Sequence, residues 1–236
     1  MTLIVPDHLK RGGVRENSAE SGLDAFRIIA EALDVDTSWL AGREMLDVGC
    51  GNRLAEAVIA YQLPLKRYVG LDNARKLIEA LAPQVQGTNV ELALIPVFNA
   101  RYAQDAGERL SRDYALPVRG AFDIIHAWSL FSHLTAEDTD AYFHILRRHA
   151  RERAAFLFTA FLEANGGWRD DSDPAGPPLL RVRYDPSLLD RLLREAGWTV
   201  ERVYARRAPP LPWPSAPLDE LTGEPGGQSL LVCRPI

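Results

Sequence analysis

The chain has 236 residues, of which 47% are apolar and 25% charged, and a formal net charge of −5. That length buries a substantial core in one α/β-sized domain, and the charge gives no global field to recruit nucleic acid or an anionic membrane. Cys50 and Cys233 are too few and too far apart for a disulfide framework, no apolar run reaches a membrane span, and residues 1–6 lack a signal-peptide pattern, so a cytoplasmic protein is expected. Lys10, Lys66 and Lys76 are the only lysines against many arginines and alanines, which suggests a GC-rich bacterial genome.

Residues 1–18 read as a polar arm containing Lys10-Arg11-Gly12-Gly13, followed by a helix whose Leu23, Phe26, Ala30 and Leu33 share one face. Met45, Leu46 and Val48 then form a short apolar run that reads as a buried strand of a parallel sheet. The run breaks at Gly49 and Gly51, and Leu54, Ala55, Val58 and Ile59 recur at helical spacing. Strand, glycine turn and helix make the nucleotide-accepting corner of a doubly wound sheet. A dinucleotide fingerprint needs glycine at position 54, where this chain has Leu54, and a Gly-Lys-Ser/Thr phosphate loop is absent. Asp47, just before the turn, repels pyrophosphate and suits a ligand carrying an ammonium or sulfonium.

The second strand, residues 67–72, ends in Asp72, with Asn73 expected to cap a helix over 74–81 that Pro83 closes. A carboxylate about 20 residues past the glycine turn is where such sheets hold ribose hydroxyls. Residues 89–95 read as a third strand, followed by a loop with Asn99 and Ala100 and a weakly helical stretch over 101–117. The fourth strand spans 122–128, with His126 alternating inward to pack, and runs into a polar-aromatic loop ending His133-Leu134-Thr135. Thr135 caps the next helix with Asp138 at N3. Tyr142, Phe143, Leu146 and Ala150 form its buried stripe, and Arg147, Arg148 and Arg151 to Arg153 its solvated face. Residues 154–161 read as strand five, 186–196 as a helix stopped by Gly197, and 198–204 and 229–233 as strands six and seven. Between them lie two long loops, 162–184 with Trp168 and 206–228 with Trp213. Asp170, Asp171 and Asp173 read as solvated acids rather than a metal site, and Pro209-Pro210-Leu211-Pro212 as a rigid stretch that could also mimic an SH3 ligand.

Leu46-Asp47-Val48-Gly49-Cys50-Gly51 resembles motif I of the class I S-adenosylmethionine-dependent methyltransferases, and residues 122–134 resemble the strand-four segment of their bacterial small-molecule members. Two positions depart from the family pattern: Arg53 stands where a further glycine is common, and Arg-His-Ala-Arg-Glu-Arg replaces a Pro-Gly-Gly turn before strand five. The resemblance implies a Rossmann-like α/β fold, a seven-stranded mostly parallel sheet with helices on both faces and the last strand antiparallel. It implies a single domain over 1–236, with an N-terminal arm and capping helix in 1–40. For the cofactor, it implies that Asp47, Gly49, Cys50 and Gly51 seat the methionine end, Asp72 and Asn73 the ribose, Asn99 and Ala100 the adenine, and that Trp128 and Ser129 approach the methionine end again. Arg11 or Arg15 could reach the cofactor carboxylate, or belong to a solvated basic arm. His133 is the candidate general base. The expected reaction is in-line methyl transfer to a small-molecule acceptor, leaving S-adenosylhomocysteine, with no metal, nucleic acid or membrane partner. A methyltransferase-like protein that binds without catalysis is the alternative, and a nicotinamide oxidoreductase is a distant third because of Leu54.

Overall fold

The computed structural model describes residues 2–10, 17–164, 166–205, 215–217 and 227–236. Arg11, Arg15, Trp213 and residues 209–212 lie outside the described residues. Among the described residues the α-helices are α1 (Ser18–Ala32), α2 (Arg53–Ala60), α3 (Arg75–Leu81), α4 (Ala136–Arg148) and α5 (Pro186–Glu195), interspersed with the strands. The strands from β1 to β5 are Glu44–Val48, Arg67–Asp72, Val90–Leu94, Phe122–Ala127 and Ala150–Leu162. From β6 to β10 they are Trp168–Asp170, Val182–Tyr184, Trp198–Ala205, Ser215–Pro217 and Ser229–Pro235.

The main sheet runs β3-β2-β1-β4-β5-β10-β8-β9. β1 is parallel to β2 and β4, β2 to β3 and β4 to β5, while β10 is antiparallel to both β5 and β8. The expected mostly parallel sheet with an antiparallel last strand is therefore present, with short β6, β7 and β9 added. Strand order reverses between β1 and β4, which opens a crevice at their carboxyl ends.

Side-chain alternation builds two cores on the two faces of the sheet. Leu46, Val48, Ile125, Phe156 and Phe158 pack with the apolar stripes of α4 and α5. Met45, Tyr68, Ile124 and Leu157 face the other way and pack with α1, α2 and α3. Buried on both sides, the central strands read as continuous apolar runs.

α1 lies against the start of α2 because Gly22 has no side chain: a Cβ there would stand 2.1 Å from the Arg53 carbonyl oxygen. Polar pins hold the same contact, with Arg53 donating to Ser21 Oγ at 3.0 Å and Ser18 donating to the buried Glu56, which also accepts from Asn52 at 2.5 Å.

Several expectations are corrected. Residues 101–117 are not helical; Asn99 Oδ1 caps the amides of Arg101 and Tyr102, but the chain then runs through turns and isolated bridges, with Asn99 bridged to Ala103 and the Phe98 amide donating to the Glu108 carbonyl at 2.6 Å. Asn73 is not the cap of α3: Ala74 holds that position without a side-chain cap bond, and its own amide donates to Asp72 Oδ1 at 2.8 Å. Arg151 to Arg153 belong to β5, which starts at Ala150; Arg151 pairs there with Asp123 and Glu44. The 162–184 loop carries the antiparallel pair β6 and β7, with β7 running parallel beside the end of β5. Asp171, just after β6, pairs with Arg169 and Arg183, and Asp170 accepts from the Leu179 amide.

Gly22→Ala must separate α1 from α2, an overpacking cost of about 1–3 kcal/mol. At about 2–4 °C per kcal/mol for a chain of this size, the thermal midpoint should fall by about 2–12 °C in a circular-dichroism melt. An unchanged midpoint would show that α1 does not rest on α2 as described.

Candidate functional site

The corner between β1 and α2 is built by backbone geometry first. Gly49 and Gly51 adopt φ of +71° and +54°, the left-handed region that side chains disfavour. The Gly49 and Cys50 amides donate to the Leu71 carbonyl at 2.8 and 3.1 Å, hanging the turn on the end of β2. Asp72 completes the corner: Oδ2 accepts from the Gly51 amide at 2.9 Å, while Oδ1 takes that of Ala74. Each carboxylate oxygen has further lone-pair capacity toward the cavity in front of it. Cys50 is buried in the turn, and burial together with the charges of Asp72 and Asp47 pushes its thiol pKa well up.

Asp47 reaches the same cavity but spends both oxygens inside the protein. Oδ2 accepts from the Tyr68 hydroxyl at 2.6 Å and Oδ1 lies 2.8 Å from His126 Nδ1. Burial first, and then the Asp47 charge, raise the Tyr68 phenol well above its ordinary pKa. His126 is buried, as its strand position implies, yet it also lines the cavity and its Nε2 has no partner.

The opposite wall comes from the loops after β3 and β4. Asn99 donates from Nδ2 to the His133 carbonyl at 3.1 Å, stapling the two loops together. The His133 ring meets Tyr102 edge-on at 5.3 Å, and its Nδ1 lies 2.9 Å from the Leu179 carbonyl. A carbonyl only accepts, so Nδ1 carries the proton and Nε2 keeps a free lone pair. Burial, with the Arg101 charge adding, lowers the His133 pKa, so the ring is neutral near pH 7.

Between these walls, Ser129 holds a φ of +56°, uncommon for a side-chain-bearing residue. Its amide donates to Thr159 Oγ1 at 2.8 Å, and its hydroxyl accepts from Gln228. Phe131 anchors this loop in an aromatic cluster, 4.9 Å from both Phe143 and Phe158.

The cavity between these walls measures about 740 Å³, within the range of small-molecule sites. Asp47, Gly49, Cys50, Gly51, Asp72, Asn73, Asn99, Trp128, Ser129 and His133 all line it. Ala100 does not; it packs against the core on the α4 side. Residues singled out for other reasons or not at all also line it: His126 and Gln228, Lys10 and Asp24 near α1, and Tyr142 and Asp138 on α4. Burial raises the Asp138 carboxyl pKa, with the Thr135 hydroxyl opposing. His126 comes to the cavity through its register opposite Asp47 in the β1–β4 pair, which the sequence of β4 alone does not reveal.

An α/β sheet with its crevice at the β1–β4 reversal, a glycine turn and a carboxylate ending β2 defines a nucleoside-binding Rossmann-like enzyme class. The chain belongs to the methyltransferase domain family, whose model matches residues 23–203. A search of curated proteins finds no match.

Solved structures share the fold along nearly the whole chain. An S-adenosylmethionine-dependent methyltransferase from Clostridium acetobutylicum is similar at TM-score 0.55 and 12% identity, over 91% of each chain. The magnesium protoporphyrin IX methyltransferase ChlM from Synechocystis, with bound SAH, gives TM-score 0.56 and 13% identity over 95% of this chain and 90% of that one. The CcbJ methyltransferase from Streptomyces caelestis gives 0.55 and 14%, over 95% and 97%.

The lowered His133 pKa has a consequence for stability. In the unfolded chain the imidazole titrates near about 6.5, so as pH falls below that value the unfolded state binds the proton first. Stability is complete above about pH 6.5 and declines as pH falls toward the folded pKa. His133→Gln should therefore lose less stability than the wild type between about pH 7 and pH 5 in urea unfolding. An equally steep decline would contradict the buried neutral ring.

Proposed function

We propose that the protein transfers a methyl group from S-adenosylmethionine to a small-molecule acceptor, and that the cavity holds both. The observation that carries this reading is Asp72, a carboxylate fixed at the end of β2 by two backbone amides with acceptor capacity toward the cavity. A vicinal diol presents two donors and suits such a group. The glycine turn supports the same fit: a Cβ on Gly49 would stand 3.3 Å from Leu130 Cδ1 and narrow the entrance.

When bound, S-adenosylmethionine supplies a methyl group already activated by its sulfonium. The chain then has to bind, orient and exclude water. Asp72 and Asn73 would take the ribose and the turn from Gly49 to Gly51 the methionine end. Asn99, Tyr102 and Leu130 would flank the adenine, and Trp128, Ser129 and Gln228 would frame the methyl group and the acceptor. We place His133 with the adenine wall, because its carbonyl accepts from Asn99 and its ring meets Tyr102 edge-on. Its tautomer also suits the general-base role expected from the sequence. A His133→Ala variant with wild-type cofactor affinity and a loss of about 10²-fold or more in turnover would return it to that role.

A small acceptor is supported by the cavity volume of about 740 Å³, and a single domain by one main sheet carrying residues 44–235. Arginine in place of lysine supports a bacterial source, and two buried free thiols a reducing cytosol. Among the described residues no helix is long and apolar enough to cross a membrane.

S-adenosylhomocysteine at about 100 times its Kd should stabilise the protein by about 2.7 kcal/mol and raise the midpoint by about 5–11 °C, with NAD and ATP doing far less. Asp72→Ala would strip two buried amides of their acceptor, so Asp72→Asn is the cleaner variant. Calorimetric titration should show it weakening S-adenosylmethionine and S-adenosylhomocysteine alike, by about 10- to 100-fold. Equal stabilisation by NAD, or wild-type affinity in a folded Asp72→Asn, would contradict the assignment.

A further inference from the structure

The floor of the cavity holds a side chain that the proposed reaction leaves idle. His126 on β4 stands opposite Asp47 on β1 in the parallel register, each two residues along its strand from Ile124 and Met45 respectively, which pack on the α1 and α2 face. Its Nδ1 is 2.8 Å from Asp47 Oδ1, and the other oxygen of Asp47 already accepts from Tyr68. A carboxylate oxygen only accepts, so the proton between them rides on Nδ1 and fixes the tautomer. In the neutral imidazole Nε2 is then a bare acceptor. It is sealed from solvent, belongs to a side chain only 1% exposed, lines the cavity and has no hydrogen-bond partner.

A buried acceptor left without a donor is costly, and native structures rarely keep one without use. We propose that His126 Nε2 receives an ammonium group of the ligand, and that Asp47 acts through it. Resting on the S-adenosylmethionine reading, this group is the α-ammonium of the methionine part. Three features select an ammonium over the neighbouring carboxylate. The free atom is an acceptor, which a carboxylate cannot satisfy. Asp47 is 2% exposed and its two side-chain partners are a phenol and an imidazole, so its charge extends to whatever Nε2 binds. Asp72 adds a second carboxylate at the same turn, and the two together bear on the Cys50 thiol between them. A cation completes this set of acceptors, and an anion would face two like charges. The Trp128 ring, 5.9 Å from the imidazole, adds an aromatic surface that favours a cation beside it. Asp47 thereby becomes a positioning residue and His126 the group that touches the ligand.

The experiment compares three ligands by calorimetric titration: S-adenosylhomocysteine, its analogue lacking only the amino group, and methylthioadenosine, which lacks the whole amino-acid part. In the wild type, removal of the amino group should weaken binding about 10- to 100-fold, as expected for a hydrogen bond to a charged group. His126→Phe should weaken S-adenosylhomocysteine by a similar factor and change the other two by less than about twofold. If the deaminated analogue binds wild type as tightly as S-adenosylhomocysteine, or if His126→Phe weakens all three ligands alike, the proposal is overturned. Should the variant fail to fold, nitrogen NMR of the wild-type imidazole decides: the Nε2 signal should move with S-adenosylhomocysteine and much less with the deaminated analogue. An equal response to both overturns it. Wild-type protein that binds neither S-adenosylhomocysteine nor methylthioadenosine would instead refute the methyltransferase reading itself, a result distinct from failure of the ammonium contact.

Discussion

The carboxylate of Asp72 is the pin on which the site depends. It takes the amide that closes the glycine turn and the amide that opens α3, so one side chain joins two crossovers of the sheet. Hydrogen bonds to a charged acceptor contribute about 1.5–3 kcal/mol each, enough to fix backbone that would otherwise sample several turns. The same constraint leaves acceptor capacity facing the cavity, so the proposed ribose contact needs no further reorganisation. Gly49 and Gly51 are required by this arrangement, because the chain reaches the pin only through left-handed φ.

Around that pin the walls are held by remote segments rather than by their own sequence. The loop after β4 is anchored below by Phe131 among Phe143, Phe156 and Phe158. From the side, Tyr184 places its hydroxyl 3.0 Å from the carbonyls of both Phe131 and Leu134, and the Trp168 indole donates to Leu134 at 3.2 Å. The His133–Leu179 bond ties the same loop to the segment between β6 and β7. On the other face, α1 reaches the cavity with Asp24, Ala25 and Ile28 because Gly22 lets it lie against Arg53. Apolar packing thus sets the positions of the walls, and a small number of polar bonds sets their orientation. The Ser129 conformation sits where these supports meet, held by Thr159 and Gln228.

Much of the fold was legible because its signals are local. β2 was bounded at Arg67 and Asp72 by its apolar run, and the Thr135 cap of α4 was visible from spacing and is present, with Thr135 Oγ1 accepting from the Asp138 amide at 3.1 Å. What failed depends on contacts between segments. Residues 101–117 carry helix-compatible composition, but the Asn99–Ala103 bridge and the bond from the Phe98 amide to the Glu108 carbonyl fold the segment back on itself. Strands β6, β7 and β9 are only three residues each, too short for a period-two pattern to register. His126 looked like any inward strand residue, since nothing in β4 alone reveals the carboxylate opposite it in β1. Gln228 reaches Ser129 across 99 positions of sequence, a pairing that no local pattern encodes.

The central claim is that one ligand spans the cavity from the glycine turn to the Asn99–His133 staple. Hydrogen–deuterium exchange with and without S-adenosylhomocysteine tests it across the whole chain at once. The account predicts slowed exchange in residues 47–53, 72–74, 99–103 and 126–134 and in α1, with α5 and β8 unchanged. Protection confined to α5 and β8, or absent at the Gly49–Gly51 turn and Asp72, would contradict it.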